Sequence, residues 1–109
     1  MLDKLEANNL DDADGNPAGG HVQGIGLSIN WQEGPLRRDV DRQAPNGAFV
    51  ETVIAAVIQR IEYYNTAAGG KFRCRENSLA ITKLEEALLW LNKRTADREA
   101  RQVEGTHTA

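Results

Sequence analysis

Residues 76–100 read ENSLAITKLEEALLWLNKRTADREA, and the spacing of their apolar side chains decides the fold. Ile81, Leu84, Leu88, Leu91 and Thr95 recur every three or four positions. That is the period of one face of an α-helix. Leu79, Ala80 and Ala87 widen the stripe. The helix is expected to start between 76 and 78 and to run to about 100. Asn77 or Ser78 is its candidate cap. With Ser78 as the cap, Ile81 stands where a capping box needs a carboxylate or amide, so that signal is incomplete. Upstream, residues 48 to about 65 carry a second helical stripe of Val50, Val53, Ile54, Val57, Ile58 and Ile61, extended by Tyr64. Its β-branched residues lower intrinsic helix propensity, so packing must stabilise it. Ala55 and Ala56 permit a close neighbour, and the run AAGG at 67–70 stops the helix. Asn46 is either the cap of this helix or part of a turn with Gly47. Two such segments joined by a loop predict an antiparallel helical hairpin.

Before the hairpin, residues 22–32 alternate as a strand would. Gln23, Ile25, Leu27, Ile29 and Trp31 share one parity, and Val22, Gly24, Gly26, Ser28 and Asn30 share the other. The second set is mostly small, so a backbone or ligand could approach closely. Gly34 and Pro35 end or turn the strand, and a weaker strand near 36–40 would complete a small β-hairpin. The plainer alternative is a loop with one edge strand. Residues 6–20, rich in Asn, Asp, Gly and Ala, read as a loop or mobile lead-in after one short turn near 2–5. The expected class is α+β: a small N-terminal β-ribbon, then a long antiparallel two-helix hairpin, completed by oligomerisation. The organisation is a flexible acidic lead-in at 1–21 and one domain at 22–109. Within that domain lie a β region at 22–45, the hairpin at 46–101 and a tail at 102–109.

At 109 residues and 12.0 kDa, the chain has the size of one domain. Its 40 % apolar and 27 % charged residues exclude collagen-like, mucin-like and wholly disordered classes. No apolar run approaches the roughly 20 residues that cross a bilayer, and the first 20 residues lack the features of a signal peptide. The expected location is therefore the cytoplasm, away from membranes. One cysteine, Cys74, and two distant histidines, His21 and His107, give a metal site little support. The net charge of −3 argues against coating a long nucleic acid. Yet residues 71–101 hold eight basic and five acidic side chains. A local basic face could hold a small phosphate compound.

A hairpin and a ribbon bury little alone, and both helices carry more apolar surface than one partner helix can cover. Subunit packing is the expected repair, with a compact monomer as the alternative.

On the second helix Lys83, Ala87, Trp90, Arg94 and Arg98 lie near one long face. Arg94 and Arg98, one turn apart, can point at the same object, and guanidinium forks suit phosphate oxygens. Trp90 could pack against a base. Alternatively, Arg94 pairs with Asp97 or Glu99, and Trp90 belongs to an interface core. At the helix entrance Lys71, Arg73 and Arg75 alternate, and Asn77 and Ser78 offer hydrogen bonds near a helix N-terminus. Asn77 and Arg94 are 17 positions apart, about 26 Å along a continuous helix. They could grip one small ligand only where two subunits cross; otherwise Asn77 is simply a cap. The tail RQVEGTH at 101–107 either folds Thr106 and His107 over a pocket or frays. No catalytic constellation is evident. Ser28 and Ser78 lack a His/Asp arrangement, Glu85 and Glu86 diverge on a helix, and Cys74 has no placed base. Gly24 and Gly26 form no dinucleotide fingerprint.

The stretch 75–91, RENSLAITKLEEALLWL, together with Arg94 and Arg98, resembles the second-helix signature of phage immune-evasion sponges. These are the anti-CBASS and anti-Thoeris proteins, which share one hairpin domain and sequester cyclic nucleotide signals of bacterial defence. The likeness spans about 46–107. The β region before it makes the chain more similar to the anti-Thoeris branch, which holds a cyclic ADP-ribose isomer with a ribose–ribose linkage. The resemblance implies ligand contacts at Asn77, Arg94 and Arg98, an aromatic contact at Phe72 and a contact at Arg42 before the first helix. Arg75, Ser78, Trp90, Thr106 and His107 complete the candidate ligand-binding set. It further implies a homo-oligomer, dimer or hexamer, with intersubunit pockets, binding without turnover and no cofactor, in the host bacterial cytoplasm. Three other classes stay open: a structural or regulatory protein-binding oligomer of a phage, a nucleic-acid binder, and a cyclic-nucleotide hydrolase.

Overall fold

The computed structural model describes residues 4–34, 37–38, 41–42 and 44–100, with the backbone alone at 37–38, 41–42 and 99. The elements run β1 (Glu6–Asp11), β2 (Pro17–Gly24), β3 (Leu27–Asn30), β4 (Arg37–Arg38), β5 (Asp41–Arg42), α1 (Val50–Gly70) and α2 (Arg75–Ala100). The α+β class is observed: an antiparallel sheet ordered β1-β2-β3, then two helices. Two compact units divide between Phe49 and Val50 and again after Asp97, so that the last residues of α2, from Arg98, fall with the strands and Val50–Asp97 forms the helical unit.

The sheet begins earlier than expected. Residues 6–20, read as a loop, supply β1 and half of β2, with Ala7 opposite Val22 and Asn8 opposite His21. Polar composition hid the strand because β1 is exposed along its whole length, and an edge strand needs no apolar face. Asp12 organises the connection. Its Oδ1 accepts the N–H groups of Asp14 (2.9 Å) and Asn16 (3.0 Å), an Asx-type turn. Gly20 fits because a Cβ there would strike the carbonyl of Asn8, and its φ is +131°. The single strand expected at 22–32 is instead two. Ile25 and Gly26 form a tight turn, Gly26 with φ +73°, between Gly24 and its partner Leu27. Alternation across a two-residue turn mimics one long strand. Ile25 leaves the presumed apolar face and is 92 % exposed.

Trp31 leaves the sheet and bridges Ala48 in parallel. Gln32 donates its N–H to Ala48 O (2.9 Å), and Ala48 donates to Asn30 O (2.8 Å). Asn46 is not a helix cap, since α1 begins only at Val50. Its Oδ1 accepts Glu33 N–H (2.8 Å), and its own N–H donates to Gln32 Oε1 (2.9 Å). These amides clasp the base of an excursion that carries β4 and β5. There Arg37 faces Arg42 and Arg38 faces Asp41. This two-stranded ribbon replaces the single strand expected near 36–40, of which residues 36, 39 and 40 lie outside the described set, as does Pro35.

In the helical unit, α1 begins at Val50, two residues later than expected. It ends where the sequence indicated, with Ala67 extended (ψ 150°) and Ala68 and Gly69 in left-handed conformations. Ile58 is its one buried side chain among the described residues. Ile54, Ile61 and Asn65 flank it half-buried, whereas Val50, Val57 and Tyr64 of the expected stripe remain exposed. On α2 the half-buried row is Asn77, Ile81, Leu84, Leu88, Leu91, Thr95 and Arg98, with Ala80 and Ala87 beside it. That is the expected stripe, except that Leu79 stays exposed.

Candidate functional site

The linker between the helices carries the first group of candidate residues. Neither Asn77 nor Ser78 caps α2. Cys74 does: its Sγ accepts Asn77 N–H (3.4 Å), and its carbonyl accepts Ser78 N–H (3.2 Å). A thiol is a weak acceptor and was not on the usual list of caps, so the sequence misplaced the start. Asn77 therefore lies within the first turn, half-buried. Its Nδ2 donates to Asn65 Oδ1 of α1 (3.2 Å) and to Phe72 O (3.4 Å). Arg73 Nε donates to Asn65 O (3.4 Å), so the end of α1 is tied to the linker from two sides.

Around this knot lie four of the expected residues. Phe72 is 59 % exposed, with Lys71 Nζ 5.5 Å from its ring centroid. Arg75 is exposed at the first helical position. Ser78 is exposed, and its carbonyl accepts the Thr82 hydroxyl (3.0 Å). Asn77 and Phe72 are joined by a hydrogen bond. The cationic and aromatic groups thus gather where backbone N–H groups of a helix start favour anions.

The second group of candidate residues lies near the other end of α2. Trp90 is 66 % exposed. Arg94 is exposed and Arg98 half-buried one turn further on. Of the two acidic partners considered for Arg94, Asp97 is held by Lys93 at 2.9 Å, and the side chain of Glu99 lies outside the described residues. Lys83 lies 3.8 Å from Glu86, an exposed pair that contributes little to stability. Between Thr82 and Lys93 the outer face of α2 carries two open hollows lined by Glu86, Leu89 and their neighbours.

The chain does not bring these groups together by itself. α2 is continuous from Arg75 to Ala100. Asn77 and Arg94 are separated by about 26 Å along its axis at 1.5 Å per residue. Arg42 falls in β5, where only the backbone is described. Thr106 and His107 lie outside the described residues.

Two features were missed in the sequence. Asn65 orients Asn77 across 12 positions. Nothing local announces such a long-range amide pair. Arg60 packs over Tyr63 and Tyr64 at 5.2 and 4.9 Å and donates from Nε to the Tyr64 hydroxyl (3.2 Å). The four-residue spacing of Arg60 and Tyr64 was the available signal. Among the described residues, no three His, Cys, Asp or Glu side chains converge as metal ligands, and no helix is long and apolar enough to cross a membrane.

Comparison with known proteins gives this arrangement a context. The chain is 54 % identical over 80 residues to Thoeris anti-defense 1 of Bacillus phage SBSphiJ7, which covers 73 % of this chain. The match takes in 51 % of that relative, so the chain spans about half its length. The family described as Acb2/Tad1, hairpin domain, matches residues 23–96, which include β3, both helices up to Ala96, Asn77 and Arg94. With two thirds of its length under that match, the chain belongs to the Acb2/Tad1 hairpin-domain family.

Proposed function

We propose that the protein sequesters a cyclic nucleotide immune messenger without turnover, so that a bacterial anti-phage defence is not activated. A cyclic ADP-ribose isomer is the first choice of ligand, ahead of cyclic di- and trinucleotides. The name of the phage relative supplies the anti-defence setting, and the host bacterial cytoplasm is the place of action. The observation that carries the ligand class is Arg94. Its guanidinium is exposed on α2, one turn before Arg98, while the nearby Asp97 is engaged by Lys93. Such a pair suits the paired phosphates of a dinucleotide-like ring.

The continuity of α2 supports a pocket shared between subunits. A cyclic nucleotide is much shorter than the roughly 26 Å between Asn77 and Arg94 along α2 and cannot reach both residues of one chain. A pocket using both is formed by Asn77, Phe72, Arg75 and Ser78 from one subunit and Trp90, Arg94 and Arg98 from another, in a dimer or hexamer. Phe72 and Trp90, both more than half exposed, supply faces on which a purine can stack. Arg42, Thr106 and His107 are proposed to complete the enclosure. A nanomolar sponge needs about −12 kcal/mol of binding free energy, which enclosure between subunits favours by desolvating the phosphates against arginine.

Native mass spectrometry tests the reading. The purified protein is examined alone and with cyclic ADP-ribose isomers, cyclic dinucleotides and cyclic trinucleotides. The expected result is an intact ligand bound at a stoichiometry set by the oligomer and recovered unchanged after denaturation. Linear or monomeric product would instead make the protein a hydrolase. A well-formed oligomer that takes up no member of the panel would favour the second reading, a protein-binding oligomer. That reading draws on the exposed Leu89 and Trp90 of α2.

A further inference from the structure

The geometry points to Asn65 as a positioning residue that, together with the Phe72 carbonyl, holds the amide of Asn77 so that Asn77 meets the ligand as a hydrogen-bond acceptor. This rests on the sequestration reading above and specifies which part of the ligand Asn77 reads.

An asparagine amide offers two N–H donors on Nδ2 and one acceptor on Oδ1. In this hairpin both donors are spent inside the protein, on Asn65 Oδ1 at 3.2 Å and on Phe72 O at 3.4 Å. Flipping the Asn77 amide would set its oxygen against the Phe72 carbonyl, which can only accept, whereas the Asn65 amide can turn with it and present either end. The Phe72 carbonyl therefore selects the orientation, and Asn65 supports it through Oδ1. The backbone of Asn65, half-buried near the end of α1, is held by Arg73 Nε, which donates to its main-chain carbonyl at 3.4 Å. The backbone N–H of Asn77 is taken as well, by Cys74 Sγ. Among the described residues no donor reaches Asn77 Oδ1, which leaves that oxygen to the ligand.

An outward Oδ1 cannot hold a phosphate, whose oxygens at neutral pH are acceptors only. It accepts from a ribose hydroxyl or from an exocyclic amino group of the base. The phosphates then fall to the arginines, and the two ends of α2 read chemically opposite parts of one ligand. Asn65 acts through Asn77 and touches no ligand atom itself.

Two measurements test this, one of them without ligand. In the free protein, water exchange of the Asn77 side-chain amide protons is followed by 15N-edited NMR. Slow exchange in the native chain, accelerated several-fold in Asn65→Leu and restored in Asn65→Asp, is expected, because Asp retains the acceptor. Equal exchange in all three overturns the assignment whatever the ligand is. Calorimetric titration with a ribose–ribose-linked cyclic ADP-ribose isomer follows. Asn65→Leu is expected to bind about tenfold more weakly and Asn65→Asp within about threefold of native, the size of one hydrogen bond. The double variant Asn65→Leu/Asn77→Ala should bind no worse than Asn77→Ala alone. Independent, multiplying losses would overturn a role exerted through Asn77. Helical circular dichroism of each variant shows whether the hairpin is retained, and Asn65→Asp serves where Asn65→Leu does not fold. A native chain that fails to bind the probe, with exchange behaving as expected, overturns the sequestration reading and its ligand polarity but not the Asn65–Asn77 couple.

Discussion

Gly47 occupies a position where the backbone of Trp31 leaves no space for a side chain. A Cβ would meet the Trp31 carbonyl group and would lie 2.7 Å from Gln32 N. Both contacts are backbone, so no rotamer change relieves them. Gly47→Ala is expected to destabilise the strand unit by about 1–3 kcal/mol, the range of overpacking, read by chemical denaturation. Next to it, Asn46→Ala removes the acceptor of Glu33 N–H and should cost about 1–2 kcal/mol in the same assay. The arginines test function. Arg94→Ala or Arg98→Ala should weaken messenger binding by about 2–5 kcal/mol where the guanidinium is buried against phosphate. Tight binding retained after both changes, with the assembly intact, would remove these residues from the site.

The two helices differ in how much of their apolar surface is covered. Along α1 the row Val50, Val57 and Tyr64 recurs every seven residues and stays exposed, while the neighbouring row centred on Ile58 turns inward. A stripe wider than one partner can cover is thus divided between an inner and an outer face. Ile58→Ala deletes the one buried side chain among the described residues. It should lower hairpin stability by about 2–4 kcal/mol, seen as a fall in the thermal midpoint of the helical signal. On α2 the outer face presents Leu79, Leu89 and Trp90, exposed by 45 %, 69 % and 66 %. The element is well formed yet incompletely covered. This is the pattern of a helix that packs on something beyond its own chain.

For the whole molecule, that uncovered surface makes assembly the expected source of stability. In an assembly held this way, the melting temperature rises with protein concentration. Leu89→Glu, on the outer face of α2, is expected to abolish this dependence and shift sedimentation toward the monomer. A concentration-independent transition in the native chain would show instead that the monomer suffices. Binding should follow assembly, because Asn77 and Arg94 cannot share a small ligand along one continuous α2. A monomeric Leu89→Glu variant that still binds a cyclic nucleotide tightly would overturn the intersubunit pocket.

What the sequence determined by itself was the hairpin: the 3.6-residue spacing of Ile81, Leu84, Leu88 and Leu91, the break at AAGG and the continuity of α2 all follow from local periodicity and backbone preference. It also placed Arg94 and Arg98 one turn apart, because helical geometry fixes neighbours at four positions. The strands were less legible. β1 is polar because it lies exposed at an edge, and the turn at Ile25 and Gly26 preserves the alternation that a single strand would show. The Cys74 cap of α2 is local but was concealed by its weak thiol acceptor, whereas tertiary structure alone decided that Asn46 clasps Gln32 and Glu33 and that Asn65 holds Asn77. These two clasps join groups 12 to 14 positions apart by hydrogen bonds whose partners are chosen by where the chain returns in space. No residue's own propensity, and no period along the sequence, encodes that return.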